Sequence, residues 1–259
     1  MKVVILAGGF GTRISEESHL KPKPMIEIGD NPILWHIMKY YLSYGFDEFI
    51  ICCGYKGYMI KEYFAHYHLH RSDITFDFTQ GDDIMLVHSN VVEPWKVTLV
   101  DTGLHTMTGG RIKRVREYIG DETFMMTYGD GVSDVDLGKL LEHHRSHEKY
   151  ATITAFQPEG RFGALDIDGQ DCVERFSEKS KEGGSWINAG FMVLEPEVME
   201  YIDGDETFFE REPLEGLAKD GQLTAYRHNG FWKCMDTLRD KEVLETMWSS
   251  KQAKWKRWE

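Results

Sequence analysis

What this 259-residue chain lacks already narrows its function. Its four cysteines, at 52, 53, 172 and 234, match no metal-ligand spacing. Cys52 and Cys53 sit inside the apolar run Phe49-Ile50-Ile51-Cys52-Cys53, which predicts buried, reduced thiols and a cytoplasmic setting. No run of 18 or more apolar residues occurs, and the opening run Val3-Val4-Ile5-Leu6-Ala7 is shorter than the core of a secretion signal. Neither a membrane span nor export is therefore expected. Positive charge is scarce too, with 30 Lys and Arg against 43 Asp and Glu, a net charge of −13. That balance argues against a general nucleic-acid or anionic-membrane surface and requires any anion site to be a local concentration of basic groups. With seven prolines, no Pro- or Ser-rich stretch and no internal repeat, the sequence offers no linker, and residues 1–259 read as one domain. Two phosphate-binding signatures are also missing. There is no Gly-x-x-x-x-Gly-Lys-Ser/Thr string, and a dinucleotide fingerprint counted from Gly9 meets Ile14 where its third glycine belongs.

What is present is a core-forming chain, 41% hydrophobic and 13% aromatic. Val3 to Ala7 reads as a buried strand running into Gly8-Gly9-Phe10-Gly11-Thr12-Arg13, with Lys21-Pro22-Lys23-Pro24 shortly after. Three close glycines let backbone N–H groups wrap a polyanion, Thr12 adds a hydroxyl, Arg13 a planar fork of donors and Lys23 a mobile point charge. A triphosphate site is one reading; a ligand-free strand-to-loop turn is the other.

Apolar periodicity predicts a helix over Pro32 to Tyr44, a buried strand over Phe49 to Cys53, a helix over Lys56 to Tyr67, and strands at Ile74 to Phe78 and Val97 to Val100. Arg111 to Ile119 reads as a short helix with a basic face. Thr123 to Tyr128 reads as a strand ending in Gly129-Asp130-Gly131, followed by a helix over about Asp134 to His147 and the strand Ala151 to Phe156. The second half looks hairpin-like, with strands at Gly163 to Asp168, Cys172 to Glu178, Ile187 to Leu194 and Leu223 to Arg227. Short helices are expected at Val198 to Ile202 and Pro213 to Lys219, and a last helix over Thr237 to Ser249. This alternation predicts an α/β fold, a Rossmann-like open, mixed and mainly parallel sheet flanked by helices, with a small β-rich extension. In such sheets ligands lie beyond the carboxyl ends of the strands, where both the glycine loop and Asp130 fall.

A triphosphate usually arrives with a divalent ion, and magnesium needs only one or two carboxylates beside phosphate oxygens. Asp130 at a strand end and Asp236 between a strand and a helix suit that role; either could equally be a turn or helix-capping carboxylate. Two histidine groups, alternating His66, His68 and His70 and helically spaced His143, His144 and His147, have residue types that could ligate zinc, but the second lacks the Glu of His-Glu-x-x-His, and solvated faces are the preferred reading of both. The tail Lys251 to Glu259 interleaves Lys254, Lys256 and Arg257 with Trp255 and Trp258, which on so acidic a chain suggests subunit packing or docking onto the body.

Leu6 to Arg13 with Lys21-Pro22-Lys23-Pro24, Tyr128-Gly129-Asp130-Gly131, Phe176-Ser177-Glu178-Lys179 and Asn188-Ala189-Gly190 resemble, in order and spacing, the sugar-phosphate nucleotidylyltransferases. The likeness runs from residue 1 to the end. Within the family, the strings Cys52-Cys53-Gly54-Tyr55-Lys56-Gly57, Thr108-Gly109-Gly110-Arg111, Gly160-Arg161-Phe162-Gly163 and Met235-Asp236-Thr237-Leu238 are similar to its cytidylyl-transferring branch. The resemblance implies magnesium-dependent transfer of CMP from CTP to α-D-glucose 1-phosphate, giving CDP-glucose and pyrophosphate, with the product serving deoxysugar and surface-polysaccharide (O-antigen) synthesis. It implies that Leu6, Ala7, Gly8, Gly9, Gly11, Thr12, Arg13 and Lys23 bind the nucleotide, that Lys23, Arg13 and Asp130 are catalytic, and that Asp130 and Asp236 hold Mg2+. Thr102, Gly103, Gly109 and Arg111 match the segment meeting the base; Gly129, Gly163, Glu178, Lys179, Asn188 and Gly190 match the remaining substrate-binding positions. The family's motif continues with proline where this chain has Ser180. Residues 1–150 would mainly bind nucleotide, residues 151–259 mainly sugar phosphate and the C-terminal helix, in a homo-oligomer. The shared residues leave UTP, dTTP or another sugar 1-phosphate open. A catalytically silent nucleotide-sugar-binding module would lose Lys23, Asp130 or Asp236, all present here.

Overall fold

The computed structural model describes residues 1–79, 84–89, 92–158, 164–167, 173–177 and 186–258. Its centre is a seven-stranded sheet in the order Leu223–His228, Ala151–Phe156, Ile187–Leu194, Phe124–Tyr128, Lys2–Leu6, Glu48–Cys53 and Lys96–Asp101. Ile187–Leu194 is antiparallel to both neighbours, and every other pairing is parallel. The mixed, mainly parallel sheet expected from the alternation is therefore present.

The first strand shows why the order holds. Parallel strands covered on both faces need apolar residues at every position, and Val3, Val4 and Ile5 are all fully buried. Val3 and Ile5 face a layer containing Ile33 and Ile37 of the helix Ile33–Leu42, Leu244 of the helix Leu238–Ser249, and Trp255. Val4 and Leu6 face the opposite layer, with Ile112 and Ile119 of the helices Thr108–Arg114 and Arg116–Ile119 and Leu217 of the helix Glu212–Lys219. Thr237 starts the last helix with a capping box: its Oγ1 accepts from the Asp240 N–H, and the Asp240 carboxylate accepts from the Thr237 N–H at 2.9 Å. Such a cap stabilises by about 1 kcal/mol and here fixes the residue that follows Asp236.

Several expectations need correction. Ile187–Leu194 is not part of a peripheral hairpin; it lies between Phe124–Tyr128 and Ala151–Phe156, because Ala189 to Leu194 are all buried and need cover on both faces. Ala164–Ile167 and Val173–Ser177 pair with each other, antiparallel, in a separate two-stranded sheet. The helix expected from Lys56 breaks at His66 into Gly57–Ala65 and Tyr67–Arg71. The helix expected from Arg111 begins at Thr108 and breaks at Val115, and Arg111 belongs to no basic surface, being only 4% exposed. His144 is likewise not solvated; it is buried, with Nδ1 bonded to Thr152 Oγ1 at 2.8 Å and Nε2 to Glu195 at 2.9 Å.

The tail docks onto the body. Trp255 is fully buried, stacks near Phe231 and Trp248, and donates its indole N–H to His36 Nδ1 at 3.3 Å. His36 donates from Nε2 to the Ile28 carbonyl at 2.8 Å, and burial pulls its imidazole down to about 4. Cys52, Cys53 and Cys234 are free thiols; burial pushes Cys53 up to about 11 and Cys234 up to about 12. Among the described residues no helix is long and apolar enough to cross a membrane.

Candidate active site

Four adjacent parallel strands, Phe124–Tyr128, Lys2–Leu6, Glu48–Cys53 and Lys96–Asp101, end at the same edge of the sheet. The loops after Lys2–Leu6, Lys96–Asp101 and Phe124–Tyr128 line a cavity of about 390 Å³, a volume suited to a small ligand. Of the residues singled out in the sequence, Leu6, Ala7, Gly8, Gly9, Gly11, Thr12, Arg13, Lys23, Arg111, Gly129, Asp130 and Asp236 line it.

The glycine loop has a second tenant. Arg111 reaches under it, its Nη1 donating to Thr102 Oγ1 at 2.7 Å, the Gly103 carbonyl at 2.8 Å and the Cys53 carbonyl at 3.2 Å; Nη2 donates to the Gly8 carbonyl at 3.1 Å. One guanidinium thus ties together the loops after three strands. No carboxylate is among these acceptors, and burial lowers Arg111 below its ordinary range. The clamp explains two glycines: a Cβ on Gly8 would lie 2.1 Å from Arg111 Nη1, and one on Gly54 would lie 2.5 Å from the same atom. Gly11 is glycine for another reason, its φ of +65°.

At the other side of the cavity, Lys23 Nζ donates to Asp130 Oδ2 and to Asp236 Oδ1, both at 2.6 Å. Arg13 Nη1 holds the second oxygen of Asp236, also at 2.6 Å. Burial works against the Lys23 ammonium, but Asp130 and then Asp236 outweigh it and raise Lys23 above the usual lysine range. Burial would raise Asp236, yet Lys23 and Arg13 prevail and lower it. Residues more than 200 positions apart in sequence are thereby brought to one point.

The remaining expected residues fall elsewhere. Thr102 and Gly103 stand behind the cavity as acceptors for Arg111, and Gly109 packs against Thr207. Asn188 accepts from the Gly190 N–H at 2.9 Å, and Gly190, at φ +82°, lies against Tyr128, which lines the cavity and would stand 2.4 Å from an added Cβ. Gly163, Glu178 and Lys179 lie outside the described residues. Sequence reading missed the wall Leu104 to Thr108, the Phe10 ring with its neighbours Tyr55 and His105, and Tyr128, whose hydroxyl donates to Glu210. A usable signal for the wall existed: Leu104 to Thr108 follows a parallel strand at the ligand-binding edge.

Residues 2–233 match the nucleotidyl transferase family model. The chain belongs to the nucleotidyl transferase family. Over its entire length this nucleotidyl transferase is 58% identical to glucose-1-phosphate cytidylyltransferase of Salmonella typhi, likewise covered in full. It is 46% identical to the probable glucose-1-phosphate cytidylyltransferase of Bacillus subtilis, again end to end. Among solved structures, HddC from Yersinia pseudotuberculosis superimposes with a TM-score of 0.69 at 26% identity, over 95% of this chain and 99% of that one. UDP-glucose pyrophosphorylase complexed with UDP-glucose gives the same TM-score at 16% identity, over 96% and 98%, a likeness of fold alone.

For a nucleotidyl transferase the carboxylate pair has the right chemistry for a divalent ion. Asp130 and Asp236 point an oxygen each at one atom, so a single hard cation could be shared between them. No group of three or more His, Cys, Asp and Glu side chains gathers for a metal among the described residues.

Proposed function

We propose that this nucleotidyl transferase moves CMP from CTP to α-D-glucose 1-phosphate, releasing pyrophosphate and forming CDP-glucose. The observation that carries the reading is the meeting of Lys23, Asp130 and Asp236 at one point of a ligand-sized cavity. The end-to-end identity to a glucose-1-phosphate cytidylyltransferase selects these substrates within the family. A phosphate oxygen of the sugar phosphate attacks the α-phosphorus in line, one P–O bond forms, and the bond to pyrophosphate breaks. The protein has to align two anions and offset the charge that develops; it needs no covalent nucleophile.

Backbone N–H groups of Gly8 to Gly11, the Thr12 hydroxyl and Arg13 hold the triphosphate, and Lys23 offsets charge at the α-phosphate. Asp130 and Asp236 would hold Mg2+, which when bound supplies Lewis-acid stabilisation of phosphate charge. Leu6 to Gly8, with Thr102, Gly103 and Gly109 behind and Arg111 beneath, form the base side. We assign Gly129, Gly163, Glu178, Lys179, Asn188 and Gly190 to recognition of the sugar phosphate, so that residues 1–150 would serve mainly the nucleotide and 151–259 mainly the sugar phosphate. We place the enzyme in the cytoplasm as a homo-oligomer supplying deoxysugar and surface-polysaccharide precursors. The test is pyrophosphate release with magnesium and glucose 1-phosphate, comparing CTP, UTP, dTTP and ATP, with EDTA as control. CTP-selective, EDTA-sensitive release is expected; preference for another nucleotide would overturn the base assignment, and no release with any would overturn the reaction.

A further inference from the structure

The Lys23 ammonium occupies the midpoint of the two carboxylates that the proposed function gives to the metal. Its Nζ lies 2.6 Å from Asp130 Oδ2 and 2.6 Å from Asp236 Oδ1, and its side chain is only 11% exposed. A divalent ion bonded to those same two oxygens and an ammonium hydrogen-bonded to both cannot share that place: they would be like charges a few ångströms apart, competing for the same lone pairs. We infer that Lys23 is a built-in counter-ion that holds the carboxylate pair shut against a divalent cation until a triphosphate draws the ammonium away. The inference rests on the reading of Asp130 and Asp236 as metal ligands.

The backbone around Lys23 leaves the side chain as the moving part. Lys23 opens a single 3₁₀ turn, Lys23–Met25, and is flanked by Pro22 and Pro24, whose rings fix φ. Its Cβ faces Gly11, where an added Cβ would lie 3.3 Å away, and Pro24 is seated against Gly129, where an added Cβ would lie 3.0 Å from Pro24 Cγ. A rotation about the lysine's own χ angles therefore releases the carboxylates with no hinge or loop motion. The direction of release is toward the glycine loop, because Gly8, Gly9, Gly11 and Arg13 line the same cavity and are the groups suited to an anion. A triphosphate seated there presents the ammonium with negative charge in exchange for the charge it gives up, and the freed carboxylates accept the cation. Binding of the two ligands is then mutually reinforcing: whatever factor the triphosphate adds to metal affinity, the metal adds to triphosphate affinity.

Mn2+ provides a probe that needs no turnover. Its binding to the purified full chain would be followed by electron paramagnetic resonance and calorimetry without nucleotide, and again with a non-transferable methylene analogue of CTP, correcting for Mn2+ held by the analogue itself. Wild type is expected to bind Mn2+ weakly alone and at least 10-fold more tightly with the analogue, whereas Lys23→Met should bind Mn2+ at least 10-fold more tightly than wild type in the absence of nucleotide. Two results overturn the inference: Lys23→Met, folded by circular dichroism, binding Mn2+ no better than wild type, or wild type alone binding Mn2+ as tightly as with the analogue. The second uses no variant and so survives any folding defect. Asp130→Asn separates the premises: Mn2+ affinity unchanged in that variant, measured with the analogue, means the carboxylates are not the metal's ligands, while a fall there with no gain in Lys23→Met sinks the counter-ion role alone.

Discussion

Gly8→Ala is the sharpest test of the clamp beneath the glycine loop. The new Cβ would stand 2.1 Å from Arg111 Nη1 and 2.4 Å from Cζ. The end of an arginine normally swings aside at little cost, but this one is buried and committed to acceptors on Gly8, Cys53, Thr102, Gly103 and Leu104. Restoring ordinary contact needs a shift of about 1.3 Å, enough to lose two or three of those bonds. At about 1.5 kcal/mol for each charge-assisted bond, the substitution should cost roughly 3–5 kcal/mol, and at about 2–4 °C per kcal/mol it should lower Tm by about 6–20 °C. Thermal melts of wild type, Gly8→Ala, Arg111→Met and the double variant form a cycle. With the guanidinium gone, Gly8→Ala should cost clearly less than in the wild-type background, since the three atoms nearest the added methyl all belong to Arg111. An equal loss in both backgrounds would refute the clamp as the reason for glycine at position 8.

Three further outcomes are expected. Lys23→Ala should lower kcat on the order of 10²–10³-fold with an unchanged circular dichroism spectrum, as for removal of one group that stabilises developing charge; wild-type turnover would move the site elsewhere. Trp255→Ala should destabilise by about 3–5 kcal/mol in urea unfolding, and a loss below about 1 kcal/mol would mean that the tail does not dock in solution. His36 is neutral in the folded chain until about pH 4, whereas an unfolded histidine takes up its proton near 6.5. Stability is therefore present above 6.5 and is lost as pH falls from 6.5 to 4, by about 3 kcal/mol; Tm in His36→Gln should fall less steeply across that window, and an identical slope would contradict the assignment.

The elements most legible in the sequence were those whose pattern is local. Val3 to Leu6 and Phe49 to Cys53, within the strands Lys2–Leu6 and Glu48–Cys53, are unbroken apolar runs because both sheet faces are covered, and Ala151–Phe156 appears at its expected bounds. Lys23, Asp130 and Asp236 could be singled out because each sits at the end of a strand or in a proline-framed turn, where side chains project beyond the sheet. Their convergence could not be read, since it depends on strand order. Arg111 was legible as a cation but not as a buried clamp, because its acceptors are carbonyls and one hydroxyl scattered between residues 8 and 104, which carry no motif. The place of Ile187–Leu194 was hidden for the same reason: its partners are set by long-range pairing, which the turn-forming residues between the strand candidates do not reveal.

The position of that strand has a consequence for how the protein is made. Phe124–Tyr128 pairs with Lys2–Leu6 on one side, but its other side waits for Met192, Val193 and Leu194. Between the emergence of residue 128 and that of residue 187, at about 5–20 residues per second, the growing chain would carry an open row of backbone donors and acceptors for roughly 3–12 s. An edge of that kind invites pairing with another chain. A ribosome product halted near residue 150 would be caught at that stage, because the strand that closes the first half is supplied by the second.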